Sequence, residues 1–115
     1  MKYAIPIDTN NDLDSIVGQH FGHVPFYAIW DQDSDELNIV ENQSNHKGGS
    51  GLPMEFLASL CDGVLLKGAG SKAVMLGKQL GLDVYMGAEG TVKDTIQKFI
   101  NGELYAATKD DGCNH

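Results

Sequence analysis

Short apolar runs alternate with amphipathic segments through the second half of the chain, and this alternation limits the possible folds more than any other feature. Residues 63–67 and 82–86 are β-prone runs, and each is followed by apolar residues at helical spacing. Thr91 and Asp94 are spaced as a capping box before the last helix. Such a β-α-β-α order requires parallel strands joined by right-handed crossovers, which predicts an α/β domain. The predicted inner helix faces are Val74, Met75 and Leu80, then Val92, Ile96, Phe99 and Ile100.

Three further β-prone segments and one helix precede this unit. Residues 2–7 form the first strand, and residues 26–31 and 37–41 flank a turn sequence typical of an antiparallel hairpin. Pro53 suits the first position of a helix, where a missing N–H costs nothing. The order β-β-β-α-β-α-β-α therefore predicts a mixed sheet of five strands. Residues 104–108 indicate only a weak terminal extension.

The charge balance excludes several classes of function. The chain has 115 residues, 16 acidic side chains, eight lysines, no arginine and a net charge of −8. Such a chain repels a phosphate backbone, so we expect no nucleic-acid partner. It contains neither a run of 18 apolar residues nor the pattern of a signal peptide. We therefore expect a cytoplasmic protein that has no membrane partner.

A loop with two histidines follows the first strand. Residues 8–22 are polar, His20, Phe21 and Gly22 stand at the end of this stretch, and His23 follows directly. Open α/β sheets bind ligands in the loops at the carboxyl ends of parallel strands, and imidazole nitrogens suit transition metals. The alternative is that Phe21 anchors the loop in the core while both histidines are solvated.

A second loop, residues 42–51, leads into the first helix and contains His46, Lys47, Gly48 and Gly49. Glycines let the backbone approach a ligand closely, and a helix start favours negative charge. Together with Lys47, these residues predict a seat for an anionic cofactor. A flexible connector without a ligand is the alternative.

The two cysteines have different surroundings in the sequence. Cys113 and His115 lie in a polar tail, residues 109–115, that follows a single domain at residues 1–108. A thiol and an imidazole this close could complete a metal site supplied by other loops, and the alternative is a frayed terminus. Cys61 follows the first helix beside apolar residues, so we expect a buried structural thiol there.

Two other segments suggest alternative functions. Residues 68–73 have the G-x-G-x-x-A form of a dinucleotide turn, with Glu89 about 20 residues further on, which would suit a nucleotide-binding module. A tight turn before a capped helix explains the same pattern without a ligand. Asp8 follows the first strand, where an acid could bind magnesium for a phosphoryl hydrolase.

Several segments are similar to one known family. They are Val17-Gly18-x-His20-Phe21-Gly22, His46-x-Gly48-Gly49, Gly68-Ala69-Gly70 and the closing segment 99–104. Together they resemble the nitrogenase iron–molybdenum cofactor biosynthesis family, which includes NifX-like proteins and the C-terminal domain of NifB. The resemblance extends over about residues 1–108, and the His-Phe-Gly loop is its most specific part.

This resemblance implies a three-layer, ribonuclease-H-like α/β fold with helices on both faces of a mixed five-stranded sheet. It also implies a protein that is not an enzyme and that binds or carries an iron–sulfur-type metal cluster, such as iron–molybdenum cofactor or a precursor. A cluster-donor or acceptor protein is the implied partner. The implied cofactor-binding residues are His20, Phe21, Gly22, His46, Lys47, Gly48, Gly49, Gly68 and Gly70. The implied metal ligands are His20, His46, Cys113 and His115.

Overall fold

Six strands and three α-helices make up the described part of the chain. The computed structural model describes residues 1–19, 24–42, 53–68 and 71–106. The elements are β1 (Lys2–Ile7), β2 (Phe26–Asp31), β3 (Glu36–Glu41), α1 (Pro53–Ala58), β4 (Gly63–Leu66), α2 (Ser71–Gln79), β5 (Asp83–Met86), α3 (Val92–Ile100) and β6 (Tyr105–Ala106). A short 3-10 helix, Asp12–Asp14, lies between β1 and β2. None of the helices in these ranges is long and apolar enough to cross a membrane.

The strands form one mixed sheet in the order β3-β2-β1-β4-β5-β6. The central strands β1, β4 and β5 are parallel to one another. Strand β2 runs antiparallel to its neighbours β1 and β3, and β6 runs antiparallel to β5. The α/β class and the mixed sheet predicted from the sequence are confirmed.

The predicted number of five strands is wrong, because β6 forms a sixth strand at the edge beside β5. Tyr105 pairs with Met86, and Ala106 pairs with Tyr85. A left-handed turn at Gly102, with φ of 75°, and the buried side chain of Leu104 bring the chain back to this edge. A strand of two residues has no periodic pattern of its own, so the sequence indicated only a weak extension there.

Helices pack on both faces of the sheet, and each face has its own apolar core. Helices α1 and α2 contribute Leu57 and Val74 to the core on one face. Helix α3 contributes Val92 and Ile96 to the core on the other face. Successive residues of β4 alternate between the two cores, with Leu65 on the side of α3. The chain thus has the three layers that the family resemblance implied.

The buried faces of α2 and α3 differ in part from the predicted faces. Met75, Leu80 and Ile100 are exposed, although each was expected to face the core. Helix α2 instead buries Val74 and Gly77, which lie one turn apart. A helix of nine residues has only about two and a half turns. The angle at which such a short helix crosses the sheet therefore decides which of its apolar residues are covered.

A local sequence signal fixes the start of α3. The Thr91 hydroxyl accepts a hydrogen bond from the backbone N–H of Asp94 at 3.1 Å. The Asp94 carboxylate accepts one from the backbone N–H of Thr91 at 3.2 Å. These reciprocal bonds confirm the predicted capping box and satisfy two N–H groups that the helix itself leaves unpaired.

Candidate functional site

The carboxyl ends of the parallel strands lie along one edge of the sheet, which we call the carboxyl edge. β1 ends there at Ile7, opposite Phe26 at the start of β2, and Phe26 lies opposite Glu41 at the end of β3. Strands β4 and β5 are parallel to β1, so their last residues, Leu66 and Met86, face the same edge. The chain segments after β1, after β3 and after β4 all open from this edge. Open α/β sheets bind ligands at such a place.

The segment that follows β1 folds back along the strand and is tied to the start of α3. Val17 pairs with Ile7, and its N–H donates to the carbonyl oxygen of Gly90 at 2.9 Å. The N–H of Gly18 donates to the carbonyl oxygen of Pro6 at 2.9 Å. These bonds hold Gly18 at the carboxyl edge, one residue before the described range breaks off at residue 19.

Gly18 contacts Val24 across the ends of the first histidine loop. A Cβ atom at Gly18 would overlap the Cγ1 methyl of Val24 and would lie 3.0 Å from Oδ1 of Asp8. The side chain of Val24 is buried and β-branched, so it cannot turn away at low cost. The loop between Gly18 and Val24 therefore begins and ends at one point on the carboxyl edge.

Asn42 joins the end of this first loop to the start of the second. The side-chain N–H of Asn42 donates to the carbonyl oxygen of Val24 at 2.8 Å. The backbone N–H of Asn42 donates to the carbonyl oxygen of Pro25 at 2.9 Å. Two hydrogen bonds thus fix the first residue of the second loop against the first two residues after the first loop.

Most of the predicted binding residues in these two loops lie outside the described residues. His20 precedes Val24 by four positions, and His46 follows Asn42 by four positions. Four residues span at most roughly 14 Å, which is the greatest distance that the chain allows between each histidine and its anchor at Val24 or Asn42. Their joint role as ligands stays a prediction. The residues outside the described ranges are His20, Phe21, Gly22, His46, Lys47, Gly48 and Gly49.

The glycine turn after β4 is described only at its first residue. Lys67 and Gly68 follow the strand at the carboxyl edge, whereas Gly70 lies outside the described residues. No heavy atom of the described residues lies within 4 Å of the place that a Cβ atom of Gly68 would take. Packing therefore does not require glycine at this position, and a ligand has room to approach the backbone.

We expect Gly68→Ala to change the free energy of unfolding by less than about 1 kcal/mol, because the new methyl group meets no atom of the described residues. If the glycine serves the approach of a ligand, the same variant will bind that ligand more weakly. Urea unfolding followed by fluorescence of Trp30, the one tryptophan, measures the first effect. A larger loss of stability would show that the position is not open.

The terminal residues Cys113 and His115 also lie outside the described residues. Strand β6 starts beside Met86 at the carboxyl edge, and its second residue, Ala106, lies beside Tyr85. The chain therefore leaves β6 in the direction away from the carboxyl edge. Seven residues lead from Ala106 to Cys113, and they span at most roughly 25 Å. The tail is therefore long enough to reach back to the carboxyl edge. Metal binding by the tail stays a prediction.

The geometry does not favour the nucleotide-binding alternative. Glu89 forms an ion pair with Lys98 of α3, with Oε1 and Nζ 3.0 Å apart. Both line an open cavity of about 510 Å³ beside Lys67. Helix α2, which follows the glycine turn, packs on the opposite face through Val74. The acidic residue and the helix of the dinucleotide motif thus lie on different sides of the sheet.

The hydrolase alternative receives no further ligand from the described residues. Asp8 lies at the carboxyl edge, with its backbone N–H donating to the carbonyl oxygen of Ile16 at 2.8 Å. Within residues 1–19, 24–42, 53–68 and 71–106, no group of three or more His, Cys, Asp or Glu side chains is placed to hold a metal ion. A magnesium site on Asp8 would therefore need ligands from elsewhere in the chain.

Cys61 is a buried structural thiol, as predicted. Its Sγ–H lies 3.2 Å from the carbonyl oxygens of both Leu57 and Gly63, between the end of α1 and the start of β4. Burial raises the pKa of this thiol to about 12, because the thiolate would lose its hydration. Cys61 is therefore neutral at physiological pH and cannot supply a thiolate ligand.

Sequence reasoning missed the contacts that bring the two histidine loops together. In the sequence, Gly18 stands out only as part of a motif, and Asn42 only as the start of a polar loop. Asparagine is common in loops, where it hydrogen-bonds to nearby backbone, so its presence gave no sign of a partner 18 positions away. Only the pairing of β2 with β3 brings Asn42 beside Val24.

Comparison with known proteins gives a family and a set of relatives. The model of the family described as dinitrogenase iron–molybdenum cofactor matches residues 1–102. An uncharacterised protein of Methanocaldococcus jannaschii is 28% identical to this chain over 110 residues, which are 90% of this chain and 89% of the relative. The match thus extends over nearly the whole length of both proteins.

Two solved structures have the same fold. One is an NMR structure of a Thermotoga protein described as a candidate NifB protein. It has a TM-score of 0.76 and 28% identity over 91% of each chain. The other is the apo form of the orange protein from Desulfovibrio gigas. Its TM-score is 0.81 at 25% identity, over 93% of this chain and 92% of that one. Each similarity covers more than nine-tenths of this chain, at 91% and 93%.

Proposed function

Because the chain belongs to the dinitrogenase iron–molybdenum cofactor family, we propose that it is a small, non-catalytic carrier or chaperone for an iron–sulfur-type metal cluster. Membership associates the chain with the biosynthesis or the binding of that cofactor. The cluster is cargo, which the protein receives and passes on. Iron–molybdenum cofactor or one of its precursors is the proposed class of cargo.

One observation carries this proposal, namely the hydrogen-bonded junction of the two histidine loops. Asn42 donates to Val24 and Pro25 at 2.8 and 2.9 Å, and Gly18 contacts Val24 from the other end of the first loop. The chain segments that carry His20 and His46 therefore start from neighbouring residues on the carboxyl edge. Two ligands from separate loops on a rigid sheet suit a site that must hold its cargo and also release it.

The donor types of these segments fit a cluster of iron and sulfide. Iron in such clusters takes thiolate and imidazole ligands, which His20, His46, Cys113 and His115 offer. Lys47 and the glycine N–H groups of the second loop can donate hydrogen bonds to sulfide or to an attached carboxylate. One available thiol cannot enclose a cluster, so the set leaves iron open to a partner protein.

A solved relative supports the binding of a group, and the strand order supports the interpretation of the fold. The orange protein was solved in its apo form, a term used for a protein that can also carry a bound group. The order β3-β2-β1-β4-β5, with β2 antiparallel, supports the ribonuclease-H-like interpretation of the fold.

We further propose a cytoplasmic location, a donor or acceptor protein as partner, a domain of residues 1–108 and a tail of residues 109–115.

Anaerobic reconstitution of the full chain with ferrous iron and sulfide tests the proposed function. We expect a coloured protein with stoichiometric iron, measured by metal analysis and visible absorption. In His20→Ala, affinity for the cluster should fall at least as much as the roughly 10–100-fold that the loss of an outer-shell partner costs. Iron retention against increasing concentrations of a ferrous chelator gives this affinity.

The matched control is His23→Ala, which removes an imidazole from the same loop. This variant should retain iron within about twofold of the parent protein, well inside the tenfold that marks an outer-shell partner. Equal iron retention in His20→Ala and in the parent would remove His20 from the ligand set. A colourless, metal-free parent protein would count against the carrier function as a whole.

A further inference from the structure

We propose that Asn42 is a positioning residue for the cargo site, acting through its side-chain hydrogen bond to Val24. This inference rests on the proposed function, because it concerns the alignment of the two loops that would hold the cluster. The bond joins Nδ2 of Asn42 to the carbonyl oxygen of Val24 at 2.8 Å, between residues 18 positions apart. No feature of the motifs in the sequence assigns a role to Asn42.

The side-chain bond can be separated from the bonds that hold the sheet together. Strand pairing of β2 with β3 continues up to Phe26 and Glu41, and the backbone N–H of Asn42 donates to Pro25 at 2.9 Å whatever its side chain is. Among the described residues, the side chain of Asn42 extends the contact beyond these points to Val24. Its loss should leave the fold intact and release the end of the first loop from the start of the second.

Val24 lies where the hydrogen bond from Asn42 can restrain the first histidine loop. Its side chain is buried, and its Cγ1 methyl packs against the backbone of Gly18 at the other end of the loop. The carbonyl oxygen of Val24 is held by Asn42 on the opposite side. Both ends of the first loop are thereby aligned relative to the first residue of the second, which is what two ligands on different loops require.

The test uses Asn42→Asp in the full chain, reconstituted anaerobically with ferrous iron and sulfide. A carboxylate has nearly the shape of the amide but has no N–H to donate to Val24. We expect iron to be lost to a ferrous chelator at about tenfold lower chelator concentration than from the parent protein. The midpoint of urea unfolding should change little. Asn42→Ala removes the same donor without adding charge and should show the same loss.

Asn38→Asp is the matched control. It makes the same substitution on β3, the strand that Asn42 directly follows, at an exposed position whose backbone lies opposite Ile29. This variant should retain iron as the parent does, since it adds the same charge and leaves the loop junction intact. A loss of iron equal to that of Asn42→Asp would overturn the inference, because charge alone would then explain both.

A double variant distinguishes positioning from a general effect on the fold. If Asn42 acts by aligning the ligand loops, Asn42→Asp should cost little further affinity once His20→Ala has removed a ligand. Independent, additive losses would overturn the inference, as would equal iron retention by the parent and Asn42→Asp. Either result leaves the carrier function standing, provided that the parent binds a cluster. A parent protein that binds none overturns both proposals.

Discussion

Gly18→Ala is expected to lower the free energy of unfolding by about 1–3 kcal/mol and to weaken cluster binding by the molecules that remain folded. The new methyl group would overlap Cγ1 of Val24 and would lie 3.0 Å from Oδ1 of Asp8. Val24 is 2% exposed, so its side chain cannot move without disturbing the core packing around it. The strain would be relieved by moving Val24, and with it the end of the histidine loop.

Urea unfolding followed by Trp30 fluorescence measures the loss of stability, and the iron content after reconstitution measures the loss of binding. Trp30 is suitable because it is buried in the core on the α3 side, with its ring centre 5.9 Å from that of Phe99. Gly68→Ala is the matched control for stability alone, since the same change there meets no atom of the described residues. If the two variants had equal free energies of unfolding, the close contact of Gly18 with Val24 would not contribute measurably to stability.

Alkylation of the folded protein at pH 8 is expected to modify one cysteine, Cys113, and to leave Cys61 unmodified. Burial raises the pKa of Cys61 to about 12, whereas an exposed thiol titrates near 8.5. The thiolate fraction at Cys61 is therefore lower by roughly 10³-fold, and the thiolate is the reactive form. The iodoacetamide adduct can be assigned to Cys61 or Cys113 by peptide mass spectrometry.

This measurement also tests whether Cys113 binds iron. Reconstitution with iron and sulfide should protect Cys113 from alkylation if its thiolate is a ligand, and unfolding in urea should expose both thiols. Unchanged labelling of Cys113 in the iron-loaded protein would remove it from the proposed ligand set. Rapid labelling of Cys61 in the folded protein would contradict its burial between Leu57 and Gly63.

The raised pKa of Cys61 also has a consequence for stability at alkaline pH. The folded state keeps the proton on the thiol more tightly than the unfolded state does. Its contribution to stability is therefore complete below about pH 8.5 and is lost as the pH rises towards 12. Cys61→Ala should remove this part of the alkaline dependence.

The sequence alone determined the features that depend on neighbouring residues. β1 and β2 begin and end where their patterns predicted, at Lys2–Ile7 and Phe26–Asp31. The capping box of Thr91 and the parallel order of β4 and β5 also follow from local signals and from the handedness of crossovers. The family resemblance was visible for the same reason, because its motifs are short and contiguous.

Tertiary structure alone decided the features that join distant residues. Strand β6 exists because two residues pair with β5, and the exposure of Met75 and Ile100 follows from how short helices lie on the sheet. The bond from Asn42 to Val24 depends on the register of β2 with β3. Local patterns carry no information about such pairings, because their energy comes from groups that only the folded chain brings together.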